Sequence, residues 1–557
     1  MNTPTQPSPE KPRATITTPI FYVNGAPHIG HAYTSIACDV LARFNRLNGR
    51  DVLFVTGTDE HGQKVEQSAE KAGIPPQAFA DQVSDQFRAM QARMNVSADA
   101  FIRTTDPQHH KAAQALWKKV ADNGHIYLGA YEGWYSTRDE AYVGDDEITL
   151  HPDGSRTSTT TGAPLEWVKE PSYFFKLRDF QEKLLKLYAD NPDFIGPHGS
   201  KREIESFVRQ GLRDLSISRT GFSWGVPVPG DSKHVMYVWF DALANYLTAV
   251  GYPDEGDPRF KRFWPADVHV IGKEIARFHC VYWPAFLMAA GLPLPARVFA
   301  HGWWTVEGQK MSKSLGNVLD PAALADEFGL DQLRYFLMRE VPFGNDSNFS
   351  RQALISRMNV ELANDLGNLA QRTLSQIARN QDGVLPLQPT LTEADKAILE
   401  AAARLPATMA AQLERLALSE ALEEVWKVVR AANAYIDHQA PWKLKKTDPE
   451  RMAAVLRVLV DVLRALATVL QPYMPETMAK MLDQLGVGEE ERDFAALATP
   501  LPGGRTLPQP QGLFPRFVEE GAETPTSKAS KGKKPSSQGG KEGTKNKAAP
   551  APKAPQP

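Results

Sequence analysis

One stretch constrains this chain more than any other: Thr17-Thr-Pro-Ile-Phe-Tyr-Val-Asn-Gly-Ala-Pro-His28-Ile-Gly-His31-Ala-Tyr33. A β-rich run from Ala14 to Val23 meets the Asn24-Gly25 turn signal. Apolar residues then recur at Tyr33, Ile36, Ala37, Val40, Leu41 and Phe44, ending at Asn48-Gly49. That spacing predicts a strand, a turn and a helix. His28 and His31, three apart, share one face of the first helical turn. Free backbone N–H groups and the positive end of the helix dipole favour an anion such as phosphate there. Gly30 between them lets a nucleotide approach closely. On this stretch alone, two solvent-exposed histidines at a helix start remain an open alternative.

The next segment extends the pattern. Asp51 to Val55 reads as a second strand running into Thr56-Gly-Thr-Asp59-Glu-His61-Gly62. Strand, helix and strand make a βαβ unit, with polar residues at the strand's carboxyl end, where open α/β sheets bind ligands. Those residues could hold an amino group or a ribose, or be ordinary turn residues. Lys64 to Ala72 and Pro76 to Met94 read as helices, and His109-His110 open another with Leu116, Trp117 and Val120. A chain of 557 residues with 42% apolar content can bury about three domain cores. At a formal net charge of −3, any nucleic-acid surface must be a local basic patch. The two cysteines, Cys38 and Cys280, fall in apolar-periodic stretches as small core residues and suit a reducing compartment. The polar, Pro-rich Met1 to Pro12 has no signal-peptide core, and no run of eighteen apolar residues offers a membrane span. The expected location is the cytoplasm.

Far downstream stands Lys310-Met311-Ser312-Lys313-Ser314, between Gly308 and Gly316. Small residues suit a mobile loop, and its two ammonium groups can reach phosphate oxygens. His-x-Gly-His early and Lys-Met-Ser-Lys-Ser late, in that order, resemble the paired signature of the class I aminoacyl-tRNA synthetases. The resemblance implies that His28, Gly30, His31 and the loop Lys310, Met311, Ser312, Lys313 and Ser314 bracket ATP. His28, His31, Lys310 and Lys313, with Arg219, would stabilise charge while a carboxylate attacks the α-phosphorus and pyrophosphate leaves. No general base is needed, because the amino acid's carboxylate is already ionised. Mg²⁺ is expected with the ATP.

Longer runs narrow the resemblance to the methionyl-tRNA synthetase family, from Ala14 to about Leu485. Pro-Ile-Phe-Tyr22-Val-Asn-Gly-Ala-Pro-His-Ile-Gly-His, Gly-Thr-Asp59-Glu-His-Gly, Tyr-Val-Trp239-Phe-Asp-Ala242 and Ile-Gly-Lys-Glu274-Ile275 to Phe278-His279 carry it. It implies that Asp59 holds the substrate ammonium. Ile20, Tyr22, Trp239, Ala242, Leu243, Tyr246, Ile275 and His279 would line the methionine pocket, and Lys273, Glu274 and Arg219 would be polar residues near the substrates. Leu243 replaces the proline of some relatives, a change of shape rather than polarity. Methionine is an unbranched thioether, and aromatic and aliphatic walls suit it, with sulfur–aromatic contacts worth about 0.3–1.5 kcal/mol. Polar contacts from Tyr22 and His279 are expected to reject aliphatic rivals. Without the resemblance, plain core packing fits Trp239 and Tyr246 equally well.

Between Asp122 and Gln210 the pattern changes to short aromatic-rich strands and turns, read as an insertion between two halves of the sheet. Such synthetases often carry a zinc knuckle here. This interval holds no cysteine, so Tyr131 to Tyr142 resembles the knuckle's frame without its thiolates, and no structural zinc is expected. About ninety residues leave no room for the editing domain of the valine, isoleucine and leucine enzymes.

From about Asp331 the pattern is helical: Arg351 to Asn380, Thr392 to Leu416, a Leu418–Val429 stripe and a Leu456–Leu466 stripe. Asn368 and Arg372 share a helix face, and Trp442 opens a new segment beside Lys443, Lys445 and Lys446. Two hydrogen-bonding side chains and a stacking aromatic suit unstacked bases. The resemblance places all three at anticodon-contacting positions; a helix-surface pair and a core tryptophan are the alternatives. From Thr524 to Pro557, eight lysines face the single carboxylate of Glu542 among Pro, Ser, Gly and Ala, a composition expected to be disordered.

The expected architecture is α/β: a Rossmann-like nucleotide-binding domain (14–121 and 211–330) interrupted by an insertion (122–210). A flexible N-terminus (1–13) precedes it, and an all-α anticodon-binding bundle (331–502) and a disordered basic tail (503–557) follow. The expected substrates are ATP, L-methionine and tRNA(Met). Many relatives carry a C-terminal dimerising barrel, and its absence here leads to the expectation of a monomer. A cysteinyl-type synthetase would need a zinc thiolate site that two separated cysteines cannot build. A non-catalytic tRNA-binding paralogue would have no reason to keep both motifs.

Overall fold

The computed structural model describes residues 11–306, 308–310 and 317–518. The sequence's central strand is Arg13–Thr17, which pairs in parallel with Asp51–Asp59 on one side and Val268–Gly272 on the other. Val298–His301 and the short Ile195–Gly196 continue one half of the sheet. Ala100–Arg103 and Phe21–Tyr22 complete the other. All these pairings are parallel, and the winding reverses at Arg13–Thr17, so its carboxyl end is a topological switch point where ligands bind.

Both faces of the sheet are covered, as a parallel sheet requires, and alternate residues divide between two cores. Phe54, Val270 and Phe299 pack with the helix Ile29–Leu47 and the C-terminal helices. Leu53, Val55, Ile271 and Ala300 pack against the opposite layer and the insertion. Cys38 and Cys280 are buried, one in each.

The β-rich run from Ala14 to Val23 forms two strands, because Pro19 has no N–H to give. Beyond the break, Phe21–Tyr22 resumes pairing, with Tyr22 registered against Asp59. The insertion is an antiparallel sheet of Glu166–Phe175, Ile126–Ser136 and Ala141–Val143, to which Leu215–Ser216, from beyond the expected boundary at residue 210, adds an edge strand. It differs from the expected strands and turns in two respects: it also holds the helices Gln181–Asp190 and His198–Arg209, and Ile195–Gly196 between them joins the main sheet. A two-residue strand is too short to show periodicity. Ser347–Phe349, in the region expected to be helical, is a strand parallel to Trp304–Val306.

The helical part contains Glu393–Ala403, Leu405–Glu414, Leu418–Gln439, Pro449–Leu470 and Pro475–Gln484. It has no core separate from the sheet. Arg334, fully buried on Leu330–Arg339, donates to Asp39 of the first helix at 2.7 Å and to the carbonyls of Met94, Pro472 and Tyr473 at 2.8, 2.8 and 3.1 Å.

Candidate active site

The switch point is occupied by the histidine motif. His28 is the N-cap of Ile29–Leu47, and its Nδ1 accepts from Gly30 N at 3.1 Å. His31 Nδ1 accepts in turn from His28 N at 3.1 Å, a reciprocal capping arrangement. Each ring, accepting at Nδ1, carries its proton on Nε2 in the neutral form. The rings stack 3.9 Å apart, with His31 packed edge-to-face beside the stacked pair of Phe21 and Phe87 at 5.1 and 5.0 Å. Two N–H donors are thereby fixed in orientation at a helix N-terminus, the arrangement a phosphate group needs.

The two flanks of the lysine motif come from the other half of the sheet to the same corner. Gln309–Lys310 is a strand paired with Trp304–Val306, and Leu319 O accepts from Ile29 N at 3.1 Å. The loop is thus anchored on both flanks, one of them on the first turn of the histidine helix. Met311, Ser312, Lys313 and Ser314, and the Lys310 side chain, lie outside the described residues.

Asp59 ends the strand beside this corner. Its carboxylate is buried, and its Oδ1 has no hydrogen-bond partner among the described residues. Burial, with Asp241 and Glu140 nearby, pushes its pKa well above the usual carboxylate range. A donor-only cation such as an ammonium relieves both problems at once.

Asp241, in contrast, is fully satisfied: His61 Nδ1 and His109 Nε2 each meet one of its oxygens at 2.6 Å, all three residues being buried. Burial acts to raise its pKa, but the two histidines hold it below the ordinary value. An aspartate within the apolar run Val238-Trp-Phe-Asp-Ala-Leu243 had to be paired, which is the signal that could have revealed this network. Its partners lie 132 and 180 residues away.

Several of the residues expected to line the methionine pocket are in mutual contact. Trp239 stacks on Phe278 with centroids 3.8 Å apart. Tyr246 donates to His279 Nε2 at 2.8 Å, while His279 Nδ1 donates to Ile275 O at 3.0 Å. Burial lowers the His279 pKa to about 4, so the ring is neutral near pH 7. Ala242, Leu243 and Tyr246 are buried, and Ile20, Tyr22, Trp239 and Ile275 partly so. The two polar groups expected to face the side chain are engaged elsewhere, since both His279 nitrogens are used and Tyr22 donates to Glu140 at 3.0 Å. Trp239 Nε1 has no partner among the described residues.

Glu274 Oε2 accepts from Trp303 Nε1 at 2.6 Å, and Lys273 pairs with Asp346 at 2.7 Å over the Trp303 ring. Arg219 belongs to the insertion side of the site. It is buried, bonded to Glu170 at 2.5 Å and stacked over Tyr135 at 4.2 Å. Glu140, which sequence reasoning did not single out, joins Tyr22, Tyr135 and Tyr237 beneath it.

In the helical part, Asn368 and Arg372 lie on Asn368–Asn380, with Asn368 exposed. Arg372 pairs with Asp437 at 2.6 Å and sits 5.1 Å from the Trp442 ring centroid. Trp442 is 42% exposed, so it presents a ring face rather than filling a core. Among the described residues, no three His, Cys, Asp or Glu side chains form a metal-binding group.

Comparison with known proteins adds a sequence-wide view. The family model described as class I tRNA synthetases (M) matches residues 14–374, and one for the anticodon-binding domain of methionyl tRNA ligase matches 385–533. The methionine–tRNA ligase of Brucella suis biovar 1 is 56% identical over 505 residues, covering 90% of this chain and 98% of that protein. That of Rickettsia felis is 54% identical over 507 residues, covering 90% and 98%. Mycobacterium tuberculosis methionyl-tRNA synthetase in complex with methionyl-adenylate superposes with a TM-score of 0.89. It is 50% identical and covers 91% of this chain and 100% of that one.

Proposed function

The chain belongs to the methionyl family of class I tRNA synthetases, and from that premise we propose how its geometry performs the family's reaction. It activates L-methionine with ATP, giving methionyl-adenylate and pyrophosphate, and transfers the methionyl group to the 3′ end of tRNA(Met). The observation that carries the reading is the convergence at one sheet edge of the His28–His31 pair, the anchored stem of the lysine loop and the unpartnered Asp59 Oδ1.

In the first step a methionine carboxylate oxygen bonds to the α-phosphorus of ATP as the bond to the bridging oxygen breaks, and pyrophosphate leaves with the electron pair. His28 and His31 donate from Nε2 to phosphate oxygens, while Lys310 and Lys313 approach from the loop, with Gly30, Met311, Ser312 and Ser314 completing the nucleotide contact. Their work is positioning and charge stabilisation rather than proton transfer. Mg²⁺, when bound with ATP, neutralises phosphate charge.

Asp59 binds the ammonium and so fixes the carboxylate's direction. Ile20, Tyr22, Trp239, Ala242, Leu243, Tyr246, Ile275 and His279 form the side-chain pocket, and Arg219, Lys273 and Glu274 complete its polar rim. In the second step a ribose hydroxyl of the tRNA attacks the activated carbonyl and AMP leaves. Asn368, Arg372 and Trp442 read the anticodon. The proposed oligomeric state is a monomer, in which one chain carries both the catalytic corner and this face. No described helix is long and apolar enough to cross a membrane, and the proposed setting is the cytoplasm. ATP–pyrophosphate exchange with each of the twenty amino acids tests the reading. Exchange strongest with methionine is expected; strongest exchange with cysteine, or none at all, overturns it.

A further inference from the structure

We propose that Glu140 is a positioning residue for the substrate ammonium. From the hairpin turn of the insertion it accepts the hydrogen bond of the Tyr22 hydroxyl, so Tyr22 Oη turns its remaining lone pair toward the ammonium that Asp59 holds. The inference rests on the methionine reading above and adds to it a group from outside the nucleotide-binding sheet.

The turn itself is unusual. Ser136 and Ala141 pair across the hairpin, leaving Thr137 to Glu140 as its loop. Glu140 has φ +48°, a left-handed conformation normally given to glycine or asparagine. Its side chain is also buried, at 4% exposure. A charged residue in both a strained backbone position and a desolvated one persists only when the surroundings over-determine it.

Here they do. Oε1 accepts from Tyr22 Oη at 3.0 Å and from Lys64 N at 2.9 Å, and Oε2 accepts from the Tyr135 hydroxyl. Its backbone carbonyl accepts from Tyr237 Oη at 2.8 Å. Gly62 passes so near that a Cβ there would lie 2.9 Å from both Glu140 Oε1 and Tyr22 Oη. Only glycine lets the segment after Asp59 close over this pair.

The consequence follows from proton counting. A tyrosine hydroxyl has one proton and two lone pairs. With the proton committed to Glu140 and one lone pair turned toward the Val65 backbone N–H, Tyr22 Oη has one lone pair left to accept with, and the neighbouring negative charge strengthens it as an acceptor. Burial, then Glu140 and Asp59, push the Tyr22 pKa up, which keeps that proton in place. Tyr22 and Asp59 are direct register partners on adjacent parallel strands, so their side chains leave the same face of the sheet, near enough for the Asp59 charge to act on the Tyr22 hydroxyl. An ammonium has donors for both, whereas an analogue lacking the amino group leaves them unmatched. The insertion therefore contributes to selecting an α-amino acid, through Tyr22 and without touching the reacting carboxylate.

The test compares two probes in calorimetric titrations of the full chain. L-Methioninol keeps the ammonium and thioether but has no carboxylate; 4-(methylthio)butanoate keeps the thioether and carboxylate but has no amino group. Glu140→Gln should weaken L-methioninol binding by about tenfold or more, the scale of a hydrogen bond to a charged group, while leaving 4-(methylthio)butanoate unchanged. Tyr22→Phe keeps the buried carboxylate and deletes the relay. It should produce the same selective loss, and adding Glu140→Gln to it should cost little more. Unchanged methioninol affinity in Glu140→Gln, or parallel loss of both probes in either variant, overturns the proposal. A wild-type chain that binds neither probe overturns the methionine reading itself, a distinguishable failure.

Discussion

Arg334→Ala should be the most damaging single substitution away from the active site. The guanidinium is wholly buried and bonds to Asp39 at 2.7 Å, to Met94 O and Pro472 O at 2.8 Å, to Tyr473 O at 3.1 Å and to Asn95 O at 3.3 Å. Truncation removes every one of these donors and leaves the Asp39 carboxylate buried. Breaking a buried pair from one side costs about 3–5 kcal/mol. Asp39 keeps Arg43 at 2.7 Å and Ser97 N at 2.7 Å, which places the loss toward the lower end. The carbonyls act in the other direction, each costing about 1–3 kcal/mol if left without a donor. Urea unfolding followed by tryptophan fluorescence should therefore show a loss of about 3–5 kcal/mol. Arg43→Ala, removing a partly exposed partner of the same carboxylate, should lose less. Arg334→Met combined with Asp39→Asn removes both charges and should recover part of the loss. A change below about 1 kcal/mol in Arg334→Ala, the value of an exposed pair, would refute the assignment of this residue as the join between sheet and helices.

Lys313→Ala should slow adenylate formation by a barrier of roughly 2.7–4 kcal/mol, on the scale of a lost oxyanion donor. Methionine affinity should hardly change; a raised methionine Kd with an unchanged chemical rate in pre-steady-state kinetics would contradict this. Trp442→Ala should leave pyrophosphate exchange intact and lower kcat/KM for tRNA(Met) by roughly tenfold to a hundredfold, since stacking is worth about 1–3 kcal/mol per base. Parallel loss of exchange and charging, or a lowered melting temperature, would instead make Trp442 a packing residue. Metal analysis of the purified chain should find no stoichiometric zinc, and about one zinc per chain would require ligands other than thiolates.

The proposed catalytic corner was legible as local structure. His28, Gly30 and His31 cap the helix they begin, so three residues and one helical periodicity suffice to place them. Asp59 was legible as the polar end of an apolar strand. Glu140 was not, since nothing in Thr137-Arg-Asp-Glu-Ala-Tyr142 marks a turn residue as buried, and its partner Tyr22 lies 118 residues away. Arg334 escaped notice for the same reason: a lone arginine on an amphipathic helix looks like a solvated one until Asp39, 295 residues distant, is brought against it. The sheet's edge was hidden differently. Ile195–Gly196 pairs only through two backbone positions, and two residues carry no period.

The three buried acids behind the proposed pocket show how one fold assigns different work to the same functional group. Asp241, Glu140 and Asp59 are all nearly excluded from water, and a desolvated carboxylate that stays ionised needs either positive charge or hydrogen-bond donors. Asp241 takes both oxygens' worth from His61 and His109. Burial raises the Glu140 pKa, and the bonds from two tyrosine hydroxyls and a backbone N–H, with the Arg219 charge nearby, act against that rise; among the described residues no cation is bonded to it. Each set is complete, so neither residue gains by binding a ligand. Asp59 alone retains a buried oxygen without a donor among the described residues, and the other two raise its pKa by their charge. Supplying Asp59 with an internal cation would satisfy the fold and remove the reason for a substrate ammonium to bind. The neighbouring acids also make a ligand without an ammonium a poor substitute, because it would leave their charge uncompensated. Selection of an amino acid over its des-amino analogue thus follows from where the protein withholds a partner as much as from where it provides one.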